Sequence, residues 1–161
     1  MLFRSLRDRC LGIGKQQFRP VGYDSAIFLA GSRQEAWHIH EGNDGNIEAV
    51  AEALVLSKKA GLDPNTVYEA IRGGLAGSTV MDAKAPMMIE GNFKPGFRIK
   101  LHQKDLHNAI LTGKELGVPL PVTSLIQQMI GSLMNDGKED SDHSAIANFL
   151  EQMAGLTISG D

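Results

Sequence analysis

Cysteine is nearly absent. Cys10 is the only one in 161 residues, so no internal disulfide can form and no cysteine pair offers a zinc or redox site. Long apolar runs are missing too. None approaches the roughly 18 residues a spanning helix needs, and the opening residues lack the apolar centre of a secretory signal. Charge of one sign does not accumulate either: 16 basic against 19 acidic residues leave a net charge of -3 and a pI near 5.9. That removes the electrostatic case for nucleic acid or an anionic membrane as partner. These absences point to a cytoplasmic protein acting on a small molecule or another protein. The segment from Met1 to Arg9 is arginine-rich, as mitochondrial presequences are, but Asp8 and the glycines that follow argue against one.

The length suits one domain with a real core and is too short for a dinucleotide-binding domain plus a helical one. Residues 1–45 read as a poorly structured leader. Glycine and proline break every helical period there, and only Ser25 to Ala30 has the look of a short strand or helical turn. Gly12-Ile13-Gly14 lacks the third glycine of a dinucleotide fingerprint, Gln17 standing in its place, and no strand precedes it. His38-Ile39-His40-Glu41 brings two imidazoles and a carboxylate together at a spacing that suits a strand. With no further ligand identifiable elsewhere, a polar loop is the better reading and no metal site is assigned.

From Asn46 the character changes, and residues 46–161 read as an all-α helical bundle. Asn46 is placed to cap a helix whose stripe is Ile47, Val50, Ala51, Leu54 and Val55, with Lys58 and Lys59 at its negative end and Gly61 just beyond. Asp63-Pro64 opens a second helix that stops at Gly73-Gly74. Ser78 caps a third, the alternative being that backbone amides near Ser78 face a substrate. The segment 92–96 is a turn by composition. Two further helices follow: one from Val122 to Asn135 with Leu125, Ile126, Met129, Ile130, Leu133 and Met134 as a broad apolar face, and a last one from Ala145 to Met153 capped by Asp142 or Ser141.

Between the turn and Gly117 lies the helix that carries the most chemistry. At about 100° per residue, Leu106, Ala109, Ile110, Gly113 and Leu116 gather on a core face, with Lys100, Gln103, His107 and Lys114 on another. Lys104 belongs cleanly to neither. It stands one turn before Asn108 with Leu101 and Leu111 nearby, so its ammonium leaves a partly apolar flank. A solvated lysine with its stem along those leucines and an amine held for a ligand both fit that pattern.

Specific stretches go further: Asn46-Ile47-Glu48-Ala49-Val50-Ala51-Glu52-Ala53-Leu54, Ala70-Ile71-Arg72-Gly73-Gly74-Leu75-Ala76-Gly77-Ser78-Thr79-Val80, Asp82-Ala83-Lys84-Ala85-Pro86-Met87, Asn92-Phe93-Lys94-Pro95-Gly96-Phe97-Arg98-Ile99 and Lys104-Asp105-Leu106. Over about seven-tenths of the chain they resemble the C-terminal helical domain of the β-hydroxyacid dehydrogenases, a 6-phosphogluconate dehydrogenase-like bundle, and in particular its tartronate semialdehyde reductase (2-hydroxy-3-oxopropionate reductase) branch. The resemblance implies NAD(P) as cofactor and hydride transfer to or from a short 2-hydroxy acid or aldehyde. It implies a homo-oligomer built through the helical domain, and Lys104 beside the nicotinamide in an interdomain cleft. Asp105 and Asn108 then support Lys104, and Ser78 and Phe97 are cleft candidates.

The resemblance also defines what is missing. The family's general-acid lysine lies ten residues ahead of the position of Asn46, which here is Ala36, and its asparagine position falls on Ile39. Neither side chain can donate a proton or orient a carbonyl. No glycine-rich Rossmann unit appears in residues 1–45. The expectation is therefore an incomplete enzyme, inactive alone, with a non-catalytic helical dimerisation or interaction module as the rival reading.

Overall fold

The computed structural model describes residues 27–30, 36–39 and 41–160. Cys10, the arginine-rich opening, Gly12-Ile13-Gly14 and His40 lie outside the described residues. Two short strands come first: β1 (Ile27–Ala30) pairs antiparallel with β2 (Ala36–Ile39), Ile27 opposite Ile39 and Ala30 opposite Ala36. A paired hairpin thus stands where the sequence suggested one strand or turn and then a loop. Ala36 and Ile39, the positions matched to the family's lysine and asparagine, are its second strand, which runs beside helix α4, described below.

The bundle then follows as α1 (Glu41–Lys59), α2 (Pro64–Ile71), α3 (Thr79–Glu90), α4 (Ile99–Leu116), α5 (Pro121–Asn135), a 3-10 turn (His143–Ala145) and α6 (Ile146–Ala154). Asn46 is not a cap: it lies inside α1, which begins more than a turn earlier at Glu41. Gly42, Asn43 and Gly45 are poor helix formers. The helix nonetheless runs through them, as tertiary packing often overrides local propensity. The stripe predicted for α1 holds, with Ile47, Val50, Ala51, Leu54 and Val55 all buried. Asp63 caps α2 through the amides of Asn65 and Thr66, Ser78 caps α3 through the amide of Met81, and Gly91 and Gly117 end α3 and α4 with φ near +70°.

Helix α1 is central, lying against α2, α3, α5 and α6. The core gathers Leu54, Met88, Ile99, Leu106, Ile130, Leu133 and Ile146. Beyond α6 the chain turns back to the start of the bundle: Ile158 is buried and its amide donates to Glu151 Oε1 at 2.6 Å, while Lys58 and Lys59 donate to the carbonyls of Gly160 and Ala154. Among the described residues no helix is long and apolar enough to cross a membrane.

The helix faces need two corrections. Leu116, placed on the core face of α4 by periodicity, is exposed, whereas His102 is buried. The chain folds back at Gly113, where an added Cβ would meet Leu120 Cδ1 and the Val118 carbonyl oxygen at 2.9 Å, so the core ends one turn before Leu116. On α5 the expected single face divides. Ile126, Ile130 and Leu133 enter the core together with Thr123, and Val122, Leu125 and Met134 stay exposed.

One half-buried acid sets a pH dependence. Burial, then a hydrogen bond to Glu52 and the like charge of that residue, push the Glu48 carboxyl up to about 7. The folded state therefore holds a proton that the unfolded chain releases near 4.5, so this group's contribution to stability is lost as pH rises from there to about 7. The expected gap between wild type and Glu48→Gln in urea melts at pH 5 and pH 8 changes by about 1–3 kcal/mol in favour of the variant at pH 8. A gap independent of pH would show that Glu48 is not the titrating group.

Candidate functional site

The chain enters α4 through residues 92–98, which are stitched to residues 138–144. The amide of Asp142 donates to the Phe93 carbonyl and that of His143 to the Phe97 carbonyl, each at 2.9 Å. Ile99 and Lys100 donate to the carbonyls of Ser141 and Glu139 at 3.0 Å. Arg98 and Asp142 form an antiparallel bridge. On the outside, Arg98 and Lys100 both pair with Asp140, at 3.3 and 2.7 Å.

Inside the stitch stands Asp142, fully buried. Its Oδ1 accepts from Lys84 Nζ at 2.9 Å and from the Ser144 amide at 3.0 Å; its Oδ2 accepts from the Gly96 and Phe97 amides at 2.9 and 3.0 Å. Burial alone pushes this carboxyl up. The amide bonds from Phe97 and Ser144 and the Lys84 ammonium outweigh it and hold the group well below the usual carboxylate range. Asp142 caps the 3-10 turn that leads into the last helix and not that helix itself, which the sequence had assigned to it and which begins at Ile146 with no side-chain cap. Its other partners lie 45, 46 and 58 residues away, and no local pattern announces them.

Next to this carboxylate lies an aromatic cluster of two buried imidazoles and the half-buried Phe97 ring. The Nδ1 atoms of His102 and His143 are 2.8 Å apart, which requires one ring to donate and the other to accept. The Phe97 ring lies with its centroid 5.4 Å from that of His143 and 6.2 Å from that of His102. Sequence reasoning named Phe97 but missed both histidines. His102 falls on the predicted core face of α4 at the i−4 position from Leu106, and that was the signal available.

Lys104 projects from the other side of the same helix, its side chain 66 % exposed and its ammonium 3.6 Å from Asp105 Oδ1. Leu101 and Leu111 beside it are also exposed, so the partly apolar flank read from the sequence is present. Asn108, one turn on, is half-buried. Ser78 acts as the cap of α3. The structure thus brings Lys104 together with Asp105, and Phe97 together with His102 and His143. A depression of about 510 Å³ between α4 and α5, lined by Gln103, Gln128, Gly131, Ser132, Met134 and Asn135, holds none of the candidate residues and lacks any charged group.

Known proteins share this arrangement of sequence and fold. Residues 44–150 match the family described as the NAD-binding domain of NADP-dependent 3-hydroxyisobutyrate dehydrogenase. The chain is 44 % identical over 109 residues to 2-hydroxy-3-oxopropionate reductase of Escherichia coli K12, covering 68 % of this chain and 37 % of that enzyme. It is 42 % identical over 118 residues to 2-(hydroxymethyl)glutarate dehydrogenase of Eubacterium barkeri, covering 71 % and 38 %. Among solved structures, a 3-hydroxyisobutyrate dehydrogenase from Salmonella typhimurium superimposes with a TM-score of 0.63 at 27 % identity, over 66 % of this chain and 37 % of that one. The chain therefore spans well under half the length of the relatives it matches.

Two substitutions separate a structural from a functional role for the predicted residues. Ser78→Ala removes a cap and is expected to cost about 1 kcal/mol. Lys104→Ala, at an exposed position, is expected to change stability by no more than about 0.5 kcal/mol. Chemical denaturation checks both, and a large loss for Lys104→Ala would mark that side chain as part of the scaffold.

Proposed function

The chain belongs to the β-hydroxyacid dehydrogenase family, which uses NAD(P), and on that premise we propose that its helical domain is the substrate-side and dimerisation half of a 2-hydroxy-3-oxopropionate reductase. In this reading hydride passes between nicotinamide and a short 2-hydroxy acid or its aldehyde. The observation that carries it is Lys104, whose ammonium stands exposed on the helix that the family resemblance assigns to the cofactor.

The residues present fit a nicotinamide cofactor at one point. A cation only loosely paired to Asp105, on a flank with Leu101 and Leu111, suits a ligand that offers both a polar edge and an apolar ring. When bound, NAD(P)H supplies the hydride. Lys104 would hold the cofactor, Asp105 would orient the ammonium, and Asn108 would line the same face. Phe97, on the opposite side of α4 from Lys104, would be an apolar wall of the cleft through which the chain enters the helix, and amides near Ser78 would lie at its substrate edge. Ala36, at the position matched to the family's general-acid lysine, has no proton to donate. Loss of a positioned general acid costs roughly 10²–10⁴-fold, so these residues acting alone are not expected to turn over.

Oligomerisation belongs to the same reading. Leu111, Leu116, Val118, Val122 and Leu125 are exposed around the α4–α5 turn, an apolar surface of the kind that marks protein contacts, and it favours self-association over a monomer.

Three measurements test the proposal. The purified chain should oxidise NADPH with 2-hydroxy-3-oxopropionate at least about 10²-fold more slowly than the Escherichia coli reductase. Residues 46–160 grafted in place of that enzyme's helical domain should restore activity, and Lys104→Ala in the graft should weaken NAD(P)H binding about tenfold. A folded graft with unchanged cofactor affinity after Lys104→Ala would refute the assignment. Light scattering should find a dimer that Leu125→Asp dissociates; a wild-type monomer would remove the dimerisation half of the reading.

A further inference from the structure

We propose that Asp142, with Lys84 as its counter-charge, is the positioning residue for Phe97, and that the pair sets where the aromatic wall beside the site helix stands. The proposal rests on the reading above for the importance of that wall. The clamp itself is carried by independent geometry.

Two successive amides, those of Gly96 and Phe97, converge on one oxygen of Asp142 at 2.9 and 3.0 Å, which fixes both peptide planes. From the other side, the Phe97 carbonyl accepts from the amide of His143 at 2.9 Å. Phe97 is therefore gripped at its N–H and its C=O by two consecutive residues of one turn. From that backbone its ring lies against the imidazoles of His143 and His102 at 5.4 and 6.2 Å. Two residues later the chain enters α4 at Ile99, so the same grip fixes where the helix bearing Lys104 begins.

Stability alone does not explain a charged pair here. Buried ion pairs are often no better than apolar residues of the same volume, and their best-attested use is to register one segment on another. The segments registered are α3, through Lys84, residues 96–97, and the turn at Ser144. An apolar side chain at position 142 would leave three amides and an ammonium without their acceptor. Asparagine keeps the shape but turns one of the two accepting oxygens into a donor, so one side of the grip must open.

The test compares Asp142→Asn, Lys84→Met and Lys84→Arg with Leu133→Ala, a core variant that lowers the melting temperature without touching the pair. Proton–nitrogen spectra of the full chain report the Gly96 and Phe97 amides and the His102 and His143 rings. These signals should move in Asp142→Asn and Lys84→Met, return close to wild type in Lys84→Arg, and stay in place in Leu133→Ala. If Asp142→Asn does not fold, Lys84→Met decides. Unmoved signals in Lys84→Met, or the same movements in Leu133→Ala, overturn the clamp. Calorimetry with NADPH and NADH adds the functional arm: Lys84→Met should weaken binding three- to tenfold and Lys84→Arg should not. Moved signals with wild-type affinity would overturn the link between the clamp and the site. Affinities are read in the Escherichia coli graft described above, and a graft that binds neither cofactor fails the reading of the site while the spectra of the full chain still decide the clamp. Loss of binding in Lys104→Ala together with unmoved signals in Lys84→Met would leave the reading standing and sink the clamp.

Discussion

Removing a carboxylate from water costs several kcal/mol even after the protein relaxes, and this domain carries that cost at Asp142 with one ammonium and three backbone amides as compensation. The arrangement explains features that otherwise look unrelated. Helix α4 needs no side-chain cap, because its first amides, those of Ile99 and Lys100, are already committed to the carbonyls of Ser141 and Glu139 in the turn beyond α5. Lys84, near the middle of α3, has its ammonium drawn inward to both oxygens of the Asp142 carboxylate. The imidazoles of His102 and His143 meet at 2.8 Å because the same turn that offers the Asp142 carboxylate also aims His143 at α4.

The helices were legible in the sequence because their information is local. Asp63 and Ser78 announce caps, Gly61 and Gly117 announce ends, and the stripe from Ile47 to Val55 repeats at helical spacing. The site was legible only in part. Lys104 and Phe97 could be named from a family resemblance, and the exposed flank of Lys104 followed from angular position. The carboxylate that organises the site was seen as nothing more than a cap, since its further partners lie tens of residues away and one-dimensional patterns carry no such pairing. Leu116 and the α5 face were misjudged for a related reason. Periodicity says which residues share a side, but where the core stops along that side is decided by the neighbour, here the chain folding back over Gly113.

For function, the division of roles along one helix matters most. The core side of α4 is spent on Ile99, His102, Leu106 and Ala109, all buried, so the side bearing Lys104 contributes little to holding the domain together and is available for a ligand.

The closing tail carries a consequence for how the domain is made. Helix α1, the first of the bundle, lies against α6, the last, and its terminal lysines hold the carbonyls of residues 154 and 160. During synthesis, then, the apolar stripe of α1 emerges from the ribosome long before its final covering exists. It must wait for nearly the whole domain to follow. Closure of this bundle is a late, end-to-end event with a large loop to bring together, and a chaperone able to shield one amphipathic helix in the interval would act on α1.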